Sequence, residues 1–126
     1  MTRRLAFLFP VMLAACTTID KPTSENLGQY CTPENAYRLG SQGRAYFGVC
    51  PKETEASFLQ GLARGRALRP WTPVVEPYYE RMDQTEKRLL AATSEAERGP
   101  LRAQLRDVEW WTIHLLYNNS SYMSAN

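Results

Sequence analysis

The chain reads as mainly α: a small, disulfide-stapled, glycine-rich helical module followed by a long αα-hairpin. Three observations predict this. Apolar side chains recur at steps of three and four through most of the second half. Cys31 and Cys50 bracket a stretch holding Gly40, Gly43 and Gly48. Proline and glycine fall where helices should begin and end.

Length and composition set the frame. With 126 residues, 44% hydrophobic and 22% charged, the chain suits one small folded domain rather than a disordered one. Fifteen basic and thirteen acidic side chains, without a like-charge run, lack the electrostatic footprint of a nucleic-acid binder. Three cysteines and a single histidine leave few ways to build a metal centre, and no metal or cofactor is expected.

Residues 1–15 are expected to be a signal peptide. Arg3 and Arg4 form a positive start, and Leu5 opens an apolar run that reaches Ala14. Ten residues span about 15 Å, half of a ~30 Å hydrocarbon core, so the run is too short for a membrane span. Leu13-Ala14-Ala15-Cys16 resembles the lipobox of bacterial lipoproteins. That resemblance implies cleavage before Cys16 and a diacylglycerol thioether on its sulfur. Thr17, rather than Asp, follows, and by resemblance to Gram-negative lipoproteins this implies sorting to the outer membrane. Arg3 and Arg4 leave with the leader, so attachment would rest on acyl chains, each buried CH₂ contributing about 0.8 kcal/mol. Residues 16–29, polar and carrying Pro22 and Ser24, are expected to form the lipidated N-terminus and a flexible tether.

With Cys16 acylated, Cys31 and Cys50 remain, an even number in an oxidising compartment. Their pairing would stabilise the fold by about 3 kcal/mol in the chain-entropy model. Zinc is a poor competitor, because His114 lies 64 positions beyond Cys50. The bond also limits the helix between the two cysteines. Thr32-Pro33 reads as an N-cap followed by a first-turn proline. A straight helix over 33–46 would carry the chain about 20 Å away, whereas a disulfide holds the two Cα atoms within about 7 Å. A short helix over 33–39 is therefore predicted, then a glycine turn at Gly40 or Gly43, then an extended return over 45–50.

A second helix is predicted from Glu53 to about Leu68, with Phe58, Leu59 and Leu62 apolar and Gly61 and Gly65 on nearly one face. Glycine costs up to about 1 kcal/mol in a helix, so the pair points to close approach of another backbone. The module is assigned to 30–70. Trp71 and two prolines interrupt the helical pattern, and Pro77 marks the first turn of the next helix. Val75, Tyr79, Met82 and Leu89 then share a face, with polar Glu86 filling one place. Leu101, Leu105, Val108 and Leu115 follow, flanked by Trp110 and Trp111. These two amphipathic helices make the hairpin, 71–117. Ser94 with Glu97 makes a capping box, but Gly99-Pro100 is a breaker, so the turn is placed at 93–100. Residues 118–126 are expected to fray.

Tyr30-Cys31-Thr32-Pro33, Gly40, Gly43, Tyr46, Val49-Cys50-Pro51, Phe58 and the Gly61/Gly65 pair resemble a family of bacterial envelope lipoproteins catalogued only as a domain of unknown function. The likeness covers about 27–68. It is consistent with the lipid anchor and the disulfide, and it brings no activity with it.

A catalytic site is not expected. His114 falls three residues after Trp111 and reads as a helix-surface residue. Glu53/Glu55 and Glu76/Glu80 are carboxylate pairs without a positioned pocket. The aromatic residues are more informative, and Trp110, Trp111, Tyr78 and Tyr79 are the candidate contact surface. The expectation is an outer-membrane lipoprotein facing the periplasm, held to the membrane by its N-terminal lipid. It would act as a non-enzymatic structural or interaction module with an envelope protein partner or a second copy. The alternatives are a periplasmic enzyme acting on cell-wall glycan and a self-associating coiled-coil-like protein.

Overall fold

A computed structural model describes residues 19–118. Residues 1–18, with the expected leader and Cys16, and the tail from residue 119 lie outside the described residues. Five α-helices follow in order: α1 (Leu27–Tyr30), α2 (Pro33–Ser41), α3 (Lys52–Arg66), α4 (Glu76–Ala91) and α5 (Glu95–Ile113), the last continuing into a π-helical turn (His114–Asn118). The chain is mainly helical, with no strand among the described residues.

α2 starts where its cap residue dictates. The Thr32 hydroxyl accepts the Asn35 N–H at 3.2 Å, and Pro33 takes the first helical position, where no amide proton is needed. The helix runs two residues past the predicted end and stops at Gly43, whose φ of +77° suits a residue without a Cβ. There the Gly43 N–H bonds the Gly40 carbonyl and the Arg44 N–H bonds that of Leu39, both at 3.0 Å. This paired closure satisfies carbonyls the helix leaves open. The chain then turns back, and the Cα of Cys50 arrives 5.7 Å from that of Cys31, with the disulfide formed.

The return places α3 alongside α2. A Cβ on Gly61 would overlap the carbonyl of Pro33, and one on Gly65 that of Tyr37. One on Gly40 would lie 2.5 Å from the Leu62 carbonyl oxygen. Positions rise together along both helices, so the two run in the same direction with their backbones in contact. Beneath them Tyr30, Ala36, Leu39, Tyr46, Phe58 and Leu62 form one buried cluster. Phe58 is flanked by the rings of Tyr30 and Tyr46, at centroid distances of 5.5 and 4.8 Å.

α4 and α5 form the hairpin, packed through Met82, Leu89, Leu105 and Val108, with Ala45 of the return segment among them. Val75, Tyr79 and Leu116 close its open end. The return segment lies between the two helices. Gly43 faces Tyr79 and Leu116, Ala45 meets Glu109, Tyr46 meets Glu86, and Gly48 faces Leu89. It runs with α4 and against α5.

Two expectations need correction. The hairpin turn is 92–94, not 93–100, and Gly99-Pro100 lies within α5. The capping box prevails: the Ser94 hydroxyl accepts the Glu97 N–H at 3.3 Å and donates to the Glu97 carboxylate at 3.2 Å. Pro100 forgoes only the bond its own nitrogen would make to Ala96, and the residue before it is a glycine with no Cβ for the proline ring to strike. Nor is the chain a free tether as far as residue 29. Ile19 packs against the first cluster, and the Asn35 amide accepts its N–H at 3.2 Å and donates to its carbonyl at 3.0 Å. Thr23 and Asn26 exchange side-chain-to-backbone bonds at 2.7 and 3.2 Å that lead into α1. Among the described residues no helix is long and apolar enough to cross a membrane.

Candidate functional site

The four aromatic residues expected to form a contact surface divide into two pairs. Trp110 and Trp111 are 53% and 44% exposed. Their rings meet edge to face at 4.9 Å, and Trp110 stacks on His114 at 4.2 Å. Tyr79, by contrast, is 3% exposed. It lies under the Arg69 guanidinium, 3.8 Å from the ring centre, and its hydroxyl donates to the Pro70 carbonyl at 2.7 Å. Tyr78 is half-buried against the hairpin cluster. Tyr79 therefore leaves the contact surface, and Tyr78 offers only part of its ring. Tyr79 lies on the stripe of Val75 and Met82, which faces inward, and the carbonyl of Pro70 accommodates its polar tip.

Cys31 and Cys50 are paired as expected, while the carboxylate pairs are dispersed. Glu55 accepts the Tyr46 hydroxyl at 2.6 Å, and Glu76 accepts the Trp71 indole N–H. Glu53 and Glu80 are exposed. A depression of ≈ 350 Å³ is lined by Gly48, Lys52, Glu55, Leu89, Thr93 and Arg98, among others. Its carboxylate is the one already engaged by Tyr46. Among the described residues no three His, Cys, Asp or Glu side chains are grouped to hold a metal ion.

The densest polar chemistry lies in the seam between the module and the hairpin, which sequence reasoning missed. The return segment has no neighbouring strand, so side chains satisfy its backbone. Glu109 accepts the Ala45 N–H at 2.8 Å, and Glu86 accepts the Tyr46 N–H at 2.8 Å. Arg66 donates to the Arg44 carbonyl at 3.3 Å, and Arg102 to that of Phe47 at 3.2 Å. Glu86 is only 6% exposed and takes both terminal nitrogens of Arg66, which also lies 3.5 Å from Asp83. Buried carboxylates survive when paired in this way.

Charge states follow from the packing. Burial works against the Arg66 charge, but the Glu86 hydrogen bonds and the Glu86 and Asp83 charges more than restore it, so its pKa rises. Burial pushes the Glu109 carboxyl above the usual range, and the Ala45 N–H and Arg44 only partly offset that. Burial, with the Glu109 and Glu86 charges, pushes the Tyr30 phenol up to about 12. One sign of the seam was visible in the sequence: Glu86 occupies a place in an otherwise apolar stripe.

The geometry defines a class: a disulfide-locked helical module joined to a helical hairpin through a charged seam. Residues 23–67 match the sequence model of a family described as a protein of unknown function (DUF2799). The matched span ends at the close of α3 and leaves the hairpin outside it. No curated protein and no solved structure matches the chain.

Proposed function

We propose that the protein is a bacterial outer-membrane lipoprotein, acylated at Cys16 and facing the periplasm, that works as a non-enzymatic structural or interaction module. The observation that carries this reading is the sequence Leu13-Ala14-Ala15-Cys16 behind a short apolar run. The closed Cys31–Cys50 bond supports it, since such bonds persist in oxidising compartments. Thr17 in place of an aspartate favours the outer membrane. The exposed Trp110 and Trp111 supply a contact surface.

Intact mass spectrometry of protein extracted from native membranes tests the reading. The expected species begins at Cys16 and carries the mass of a diacylglycerol, while Cys16→Ala accumulates as uncut precursor. An uncut wild-type chain, or a processed chain without fatty acid, would overturn it. Density fractionation of the envelope then reads which membrane holds the protein.

A further inference from the structure

The N-terminal attachment leaves very little slack. Asn35, itself buried, answers both backbone polar groups of Ile19 and also donates to the Tyr30 carbonyl at 3.0 Å. The Ile19 side chain packs against the cluster of Tyr30, Ala36 and Phe58. The chain is thus committed to the folded body from Ile19 onward. Only three residue steps separate Ile19 from Cys16, a reach of about 10 Å when fully extended. A bilayer that takes acyl chains at Cys16 therefore lies against the flank from which Ile19 emerges.

That flank leads to α5. Tyr30, tied to Ile19 through Asn35, stacks on Phe58, which in turn meets Tyr46. The residue before Tyr46 donates its N–H to Glu109, and the next residue on α5 is Trp110. Asp20 lies near enough for its charge to act on both Tyr30 and Glu109. Trp110 and Trp111 present two large rings with indole N–H groups, and Arg106 one turn before is exposed as well. An indole, apolar in body and polar at one edge, suits the zone between headgroups and acyl chains.

Resting on the Cys16 lipidation reading, we infer that the Trp110/Trp111 face of α5 docks into the headgroup zone of the bilayer that holds the anchor. The short exit at Ile19 selects a lipid surface as its occupant. The domain is held down at two points, the thioether and the indole pair, and it cannot swing freely above the membrane.

The test uses the full-length lipidated protein in vesicles of phosphatidylethanolamine and phosphatidylglycerol, with part of the lipid brominated near the top of the acyl chains. Double Trp→Phe variants leave Trp71, Trp110 or Trp111 as the single emitter. Trp71, 60% exposed on the α3–α4 connector, serves as the comparison. Emission from Trp110 and Trp111 is expected to shift to the blue and to fall about twofold with brominated lipid, with Trp71 changing less. A blue shift at Trp110 and Trp111 without quenching by brominated lipid would mean cover by a second copy and would overturn the inference. Equal quenching of all three, or none at Trp110 and Trp111, in a sample whose intact mass carries the acyl chains overturns this inference and leaves the lipoprotein reading standing. Absence of the acyl mass overturns both.

Discussion

The α2–α3 contact and the seam around the return segment join the molecule by opposite means. Between α2 and α3 the side chains are missing: Gly40, Gly61 and Gly65 let two backbones touch. In the seam the side chains are everything, because Glu86, Glu109, Arg66 and Arg102 supply hydrogen bonds that a neighbouring strand would otherwise provide. The first joint is governed by volume and is indifferent to charge. The second is governed by charge and geometry, and the two should break under different substitutions.

The largest effect is expected at Glu86. Glu86→Ala leaves Arg66, largely buried, without its main partner and the Tyr46 N–H without an acceptor. Breaking a buried pair from one side typically costs about 3–5 kcal/mol, which is read from the urea midpoint. Pairing Glu86→Leu with Arg66→Met removes both charges and should recover part of the loss; the Tyr46 N–H and the Arg44 carbonyl, both left unanswered, keep the remainder, about 1–3 kcal/mol for each that water does not reach. If Glu86→Ala alone cost under about 1 kcal/mol, the seam would be decoration rather than a joint.

Next comes the glycine joint. Gly65→Ala drives a methyl into the Tyr37 carbonyl, and overpacking of this kind costs about 1–3 kcal/mol even though alanine is the better helix former. Gly28→Ala provides the contrast, because nothing lies within 4 Å of the added carbon. That variant should be neutral or gain up to about 1 kcal/mol. Thermal melts of the two variants compare volume with propensity directly. Equal behaviour would deny that the α2–α3 backbones touch.

The sequence displays the first joint far more openly than the second. Glycines inside a helical stripe are costly anomalies, and their cause was readable from Gly61 and Gly65 alone. The disulfide, the Thr32-Pro33 start and a glycine turn were readable from local chemistry and the reach of the chain. Glu109 carries no such mark, because its task is set by the amide of Ala45, 64 residues away. Asn35 likewise looks like an ordinary first-turn residue until Ile19 docks on it. Glu86 did stand out in an apolar slot, but the identity of its partners depends on how module and hairpin meet. The Gly99-Pro100 misreading has a related origin. A local breaker competed with a local cap, and the cap prevailed, with Pro100 giving up one bond inside α5.

The smallest effect is the most diagnostic of the seam. Burial, reinforced by the Glu86 and Asp20 charges, makes Glu109 hold its proton more tightly in the folded chain than in the unfolded one, despite the Ala45 amide and Arg44. The unfolded chain therefore ionises first as pH rises, and stability is lost from the ordinary carboxylate range up to the raised folded pKa. Glu109→Gln keeps an oxygen for the Ala45 N–H and removes the charge. Its stability relative to wild type should be nearly constant at acid pH, where Glu109 is protonated in both states. The difference should then move in the variant's favour as pH rises through the carboxylate range, and level off above it. Urea midpoints at a series of pH values check this. A difference that stayed flat, or moved toward wild type, would mean that Arg44 and the Ala45 amide outweigh burial, making the second carboxylate an ionic clasp like Glu86 rather than a strained acceptor.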